Sequence, residues 1–139
     1  MFMRRSKSAL ALLTAALGFF GLTACGGDVK NESVTAVTYE QITPDEAKEI
    51  MDRETDYIII DARTEEEFTQ GHIEGAILIP EYEIASRAES ELPNKEALIL
   101  VYCRSGRRSK IAAEELVKLG YTNVKEFGGI IDWQYEIVK

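Results

Sequence analysis

One stretch of the sequence combines a nucleophile with the means to activate it. Cys103-Arg104-Ser105-Gly106-Arg107-Arg108-Ser109 follows the apolar run Leu98 to Tyr102 and precedes a helical pattern. A cysteine at such a strand-to-helix junction meets a ring of backbone N–H groups. A tight loop around its side chain, with Gly106 allowing a positive φ and a helix amino terminus below, builds an anion cradle. The thiolate is itself an anion, so the cradle lowers the thiol pKa from its free value of about 8.5 and makes Cys103 a nucleophile at neutral pH. Arg104, Arg107, Arg108 and Lys110 fall within eight residues, with no acid among them. A solvated helix face mixes signs, so this run reads instead as a funnel for an anionic substrate. A buried structural thiol is the ordinary state of a cysteine at a strand end. Such a thiol does not need a glycine and three arginines in the next five residues.

The elements that must position this loop alternate along the chain. Ile42-Thr43-Pro44-Asp45-Glu46-Ala47 carries a hydroxyl cap, proline at the first helical position and Glu three residues after the cap. These signals start a helix at Pro44, with Ala47, Ile50 and Met51 on one face and an end near Arg53. Tyr57 to Ile60 predicts a strand buried on both faces, and the same signature recurs at Ala76 to Ile79 and at Ala97 to Tyr102. Val124 to Phe127 is a shorter candidate. Helical patterns lie between: Thr64 to Gln70 with a second capping box from Thr64 and Glu67, then Glu81 to Ala88, then Ser109 to Leu119 with Ala112, Leu116 and Leu119 facing inward. Alternating strand and helix predict an α/β fold, a parallel sheet with helices on both faces and its ligand site at the carboxyl edge of the strands.

Over Tyr39 to Lys139 the sequence resembles the rhodanese family. The active-loop pattern Cys-x-x-Gly-x-Arg-Ser is met by Cys103, Gly106, Arg108 and Ser109. Upstream, Asp61-Ala62-Arg63, Glu67-Phe68, Gly71-His72-Ile73-Glu74-Gly75-Ala76 and Ile79-Pro80 match the family signature, and Gly128-Gly129 with Trp133 matches its carboxyl-terminal motif. The resemblance implies a rhodanese-like fold with about five parallel strands. It also implies a sulfurtransferase in which Cys103 takes a sulfane sulfur from a small anionic donor such as thiosulfate. The sulfur then passes to cyanide, a thiol or a protein acceptor, including a thioredoxin-like one. Arg104, Ser105, Gly106, Arg107 and Arg108 then form the substrate-binding set, with Arg104 and Arg107 at the rim. Arg108 serves equally well as a substrate ligand or as the partner of an acid such as Glu67 that fixes the loop. The resemblance puts His72 in a structural turn, Asp61 and Arg63 are expected to hold a turn, and Trp133 belongs to the core. Gly128-Gly129 is expected to let the chain pass close to the loop. His72 is the only histidine, so neither a Cys-His-Asn arrangement with spare parts nor a zinc cluster can be assembled elsewhere, and no metal or cofactor is expected.

The amino terminus bounds where this chemistry takes place. Met1 to Ala24 reads as a secretory leader, with Arg4, Arg5 and Lys7 ahead of an uncharged run from Ala9 that ends in Leu22-Thr23-Ala24-Cys25. The run is shorter than the roughly 20 residues a spanning helix prefers. Its end resembles the site at which bacterial lipoproteins are lipidated, which makes Cys25 the mature first residue, acylated at the extracytoplasmic face of a bacterial membrane. Cys25 to Thr38, small and polar after the cysteine, reads as a tether reaching about 20 Å. Loss of the leader's three cations leaves 13 Lys+Arg against 24 Asp+Glu, a net charge of −11, so nucleic acid is not an expected partner. A monomer with Cys103 as its one free thiol is expected.

Two rivals differ from this reading in kind. A cysteine phosphatase or arsenate reductase, similar in fold, uses Cys-x5-Arg to encircle its oxyanion, whereas here the arginine comes one position early, at Arg108, and Ser109 fills the sixth position. The shorter ring suits a sulfur atom better than a phosphate group, and the loop holds no acid to protonate a leaving alkoxide. A non-enzymatic sulfur carrier or protein-binding module would keep the fold and Cys103 without turnover.

Overall fold

The computed structural model describes residues 38–139. The expected leader, the lipidation site Cys25 and the tether through residue 37 lie outside the described residues. Among the described residues no helix is long and apolar enough to cross a membrane.

Among the described residues five strands and four helices alternate, all but the first strand as the sequence predicts: β1 Glu40–Gln41, α1 Pro44–Arg53, β2 Ile58–Asp61, α2 Glu65–Gln70, β3 Ala76–Leu78, α3 Ile84–Glu91, β4 Ile99–Cys103, α4 Arg107–Lys118 and β5 Val124–Gly129. All strand pairs are parallel, in the order β1-β5-β4-β2-β3. Both capping boxes form. The Thr43 hydroxyl accepts from Glu46 N while Thr43 N donates to the Glu46 carboxylate at 2.7 Å, and Thr64 and Glu67 repeat the exchange at the head of α2.

The sheet separates two apolar layers. Ile60, Val101 and Val124 project to the side covered by α3 and α4, where they meet Ile84, Ala88, Ala112 and Leu116. Ile59, Leu100 and Phe127 project to the other side, under α1 through Ala47, Ile50 and Met51. Strand β4 is buried along its whole length, so the residue that ends it, Cys103, is placed by the most constrained strand of the sheet.

Four details depart from the sequence reading. Strand β1 was not foreseen, because its two exposed polar residues carry no apolar signal; it is defined by pairing with β5 and by the Lys125–Glu40 ion pair. The run Ala76 to Ile79 forms an edge strand rather than one buried on both faces, and it leaves Ile77 exposed. Helix α3 opens with a 3₁₀ turn at Glu81–Glu83 behind Pro80. It runs on to Glu91, held by Arg87 donating to Glu91 at 2.7 Å, and stops just ahead of Pro93. Helix α4 begins at Arg107 instead of Ser109, because Gly106 takes φ +99° and the helix winds directly from it; its last expected inward residue, Leu119, is only partly buried.

A buried polar knot ties the carboxyl ends of β2 and β4 together. Asp61, fully buried, accepts from Arg63 N and Nε at 2.9 Å, from Arg63 Nη2 at 2.7 Å and from the Tyr102 hydroxyl at 2.6 Å. Arg63 Nη2 also donates to the Gly71 carbonyl at 2.7 Å, and the Tyr102 hydroxyl accepts from Ile73 N at 3.1 Å. Burial, then the neighbouring Asp61 carboxylate, pushes the Tyr102 phenol far above its ordinary pKa, so it acts as a fixed donor. His72 completes the turn, stacked on Phe68 with ring centroids 3.7 Å apart and bridged through its backbone to Val138. Trp133 packs on Phe127 at the edge of the second layer. Asp61→Ala strands a buried guanidinium, and breaking a buried pair in this way costs about 3–5 kcal/mol. Urea denaturation should show that loss; a change below about 1 kcal/mol, the size of an exposed pair, would show that the knot does not hold the fold.

Candidate active site

Cys103 ends β4 at the carboxyl edge of the sheet and is only 1% exposed. Its sulfur is met from the loop side by an N–H donor. Gly106 N donates to Sγ at 3.1 Å. Burial pushes the thiol pKa up, the Ser109 hydroxyl and the amides of Ser109, Gly106 and Ser105 pull it down, and the donors win. Cys103 is therefore held below the ordinary thiol value, as the sequence reading expects. The amino terminus of α4, starting two residues after Ser105, adds its positive end to the same point.

The loop keeps its shape because three contacts leave it little freedom. Gly106 sits at a φ that other L-residues rarely adopt. Gly129 at the end of β5 lies so close beneath the loop that a Cβ there would overlap the Arg104 carbonyl and the Ser105 Cα, and Ile131 N donates to that same carbonyl at 3.2 Å. The close passage expected of the Gly-Gly pair is thus made by Gly129, while Gly128, at φ +86°, turns the chain. Arg108 closes the loop from above with a bidentate pair to Glu67, Nη1 to Oε2 at 2.6 Å and Nη2 to Oε1 at 2.8 Å. The Arg108 guanidinium, helped by Thr64, holds the Glu67 carboxyl at a pKa of about 2 despite partial burial, so the pair stays charged throughout the neutral range. Of the two roles open to Arg108, the geometry is that of a clasp.

The remaining predicted residues form the rim. Arg104, Ser105 and Arg107 are exposed, and among the described residues neither Arg104 nor Arg107 makes an ion pair. Both guanidinium groups thus stand at the surface beside the loop, while Gly106 meets the sulfur through its amide. A cleft of about 370 Å³ opens beside the loop, lined by Arg63, Glu67, Arg104, Ile130, Ile131 and Ile137. The larger cleft of about 750 Å³ is lined by residues such as Met51, Tyr57, Trp133 and Tyr135 and contains no loop residue, so size does not mark the chemistry here.

Two site residues escaped the sequence reading. Tyr102 was seen only as strand, and its hydroxyl turns out to hold Asp61. Glu126, on β5, is fully buried against the loop: its Oε1 accepts from the Ser109 hydroxyl at 2.6 Å and from Gly128 N at 2.8 Å. The available signal was an acid two residues from the inward Val124, in the phase of the strand that faces α4.

A parallel α/β sheet that ends its central strand in one buried cysteine at a strand-to-helix loop, with arginines at the rim, defines the class of domain. The profile of the rhodanese-like domain matches residues 43–136, and the chain belongs to that family. Its similarity to the thiosulfate sulfurtransferase PspE of Escherichia coli K12 is 42% identity over 73 residues, 52% of this chain and 70% of that protein. It is 33% identical over 109 residues to the putative sulfur carrier protein YrkF of Bacillus subtilis 168, covering 78% of this chain and 57% of that one. Among solved structures, a rhodanese with anions from E. coli superposes with a TM-score of 0.57 at 40% identity, over 60% of this chain and 98% of its own.

The close approach of Gly129 generates a test. Gly129→Ala must push the Arg104–Ser105 backbone away from β5, and with it the amides around Sγ. Misplacement of about 1 Å around a reacting group can lower a rate about a hundredfold, and the reaction rate of Cys103 with a haloacetamide should fall toward that extent. An unchanged rate in a folded variant would mean the floor of the loop does not set its geometry.

Proposed function

We propose that this protein is a sulfurtransferase that carries sulfur as a persulfide on Cys103. The observation that carries the reading is the placement of Cys103 Sγ at the head of α4, where Gly106 N donates to it at 3.1 Å, with the thiol pKa lowered against the effect of burial. The Cys103 thiolate attacks the outer sulfur of a donor such as thiosulfate, whose two anionic ends suit Arg104 and Arg107. A new S–S bond forms at Cys103 as the donor's own S–S bond breaks, and sulfite leaves with the electron pair. The outer persulfide sulfur, still anionic, lies at the same helix head. A thiolate or cyanide then attacks that outer sulfur, and Cys103 departs as the thiolate, ready for another round. This is covalent catalysis in two displacements, with the protein supplying a fixed nucleophile and preorganised donors.

Three further points support the reading. The loop is one residue too short for the Cys-x5-Arg ring of phosphatases, and its arginine is held by Glu67 rather than turned to a bound oxyanion. The PspE relative is named for thiosulfate. The sequence of residues 1–25 fits a lipid anchor at Cys25, which would hold the domain at the extracytoplasmic face of a bacterial membrane, within reach of small thiols or a thioredoxin-like acceptor. The similarity to a putative sulfur carrier favours a second outcome, in which the persulfide forms but only a protein partner discharges it.

Intact mass of the full chain before and after thiosulfate, then after cyanide or a small thiol, separates these outcomes. Gain of one sulfur that is absent in Cys103→Ser and removed by cyanide is the expected result. A sulfur that small acceptors leave in place points to the carrier, and no gain at all overturns the proposal.

A further inference from the structure

The larger cleft, of about 750 Å³, has no task in the sulfur chemistry, because no residue of the Cys103 loop lines it. Its size falls within the roughly 300–1,000 Å³ of sites that hold small molecules. Helix α1 contributes Lys48, Met51 and Asp52 to its lining, and the segment after β5 contributes Trp133, Tyr135 and Glu136. The aromatic wall is fixed before any ligand arrives. Trp133 packs on Phe127 with ring centroids 5.7 Å apart, and its Nε1 donates to the Glu136 carbonyl at 3.3 Å. The Tyr135 ring meets Trp133 edge-on at 4.9 Å, and its hydroxyl donates to Asp45 of α1 at 2.8 Å. Half-buried Tyr57 adds a third aromatic ring to the same lining.

The charges around these rings have one sign left over. Lys48, the one cation of the lining among the described residues, is ion-paired with Asp52 one turn along α1, so the two cancel. Glu74 and Glu136 also line the cleft, are exposed, and form no ion pair among the described residues. Lys48 Nζ stands 5.5 Å from the centroid of the Tyr135 ring, within the roughly 6 Å at which a ring face attracts a cation. The chain thus already places an ammonium group on one of these rings. We propose that the cleft binds a small organic cation with an apolar body, of the alkylated or arylalkyl ammonium class. Its charge is balanced by Glu74 and Glu136, and its body lies against Trp133, Tyr57 and Met51. An anion would meet two unpaired carboxylates, and a neutral apolar solute would leave them without use. A metal ion fits less well, since among the described residues no three His, Cys, Asp or Glu side chains are grouped to hold one. A weakly hydrated ammonium is matched by both features at once, the aromatic faces and the residual negative charge.

The only tryptophan of the sequence, Trp133, lines this cleft, so its fluorescence reports the site directly. The full chain is titrated with benzyltrimethylammonium at constant ionic strength, and in parallel with benzyl alcohol, which has the ring without the charge. No sulfur donor is present, so the answer is independent of the proposed sulfur transfer. The expected result is a saturable change with the cation and none with the alcohol over the same range. The double variant Glu74→Gln, Glu136→Gln keeps the shape of these exposed side chains and should bind the cation about tenfold more weakly. Tyr135→Leu keeps apolar area while removing one ring face, and it should also weaken binding. Equal binding of benzyl alcohol, or an unchanged affinity in the double variant, would make the cleft a plain apolar groove and overturn the proposal. No saturable change up to about 10 mM, weaker than small-molecule recognition requires, would overturn it as well. Trp133 fluorescence that shifts with protein concentration alone would assign the cleft to a second copy of the chain, and so also overturn it.

Discussion

The structure depends on lowering the pKa of one thiol while hiding it from water. Burial alone would protonate Cys103, and the loop opposes that outcome with N–H and O–H donors. Backbone amides suit this purpose because they are fixed by the chain and pay no side-chain entropy to be aimed. Their direction requires the chain to turn sharply between β4 and α4, which is why Gly106 stands at a positive φ and the helix begins immediately after it.

Everything beyond the loop reads as reinforcement of that turn. From below, the end of β5 lies against the loop with only a glycine between. From above, the Arg108–Glu67 clasp joins the first turn of α4 to α2, and Glu67 simultaneously caps α2 through Thr64. Beside it, Asp61 joins β2 to β4 through Tyr102, the residue immediately before the nucleophile. Cations are thus divided by function: Arg63 and Arg108 are held by acids and shape the site, whereas Arg104 and Arg107 remain at the surface where an anion arrives. The division matters in so acidic a chain, because it leaves two exposed guanidinium groups unpaired beside the loop among the described residues.

Much of this was legible in the sequence, and for physical reasons. Apolar runs such as Tyr57 to Ile60 and Ala97 to Tyr102 reveal central parallel strands because both of their faces must be buried. Capping boxes at Thr43 and Thr64 reveal helix starts because the same side chains make the bonds. Cys103, Gly106 and the arginines were readable because they are adjacent in the chain. What stayed hidden is what depends on pairing across the fold. Strand β1 exists only through β5, and the edge position of β3 is a property of strand order, which the run Ala76 to Ile79 does not encode. The choice of Arg108 between substrate and Glu67 turns on a contact 41 residues away in sequence. Glu126 was concealed for the same reason, since an acid in a short strand reads as exposed until the helix above it is in place.

The central claim is that the loop lowers the pKa of the Cys103 thiol in spite of its burial. The most direct measurement is the ultraviolet thiolate absorbance of the protein as a function of pH, taken as the difference from Cys103→Ser to cancel tyrosine and Cys25. A titration midpoint below the free-thiol value of about 8.5 is the predicted result. A midpoint at or above it would show that burial wins over the donors, and the account of the site would be contradicted at its foundation.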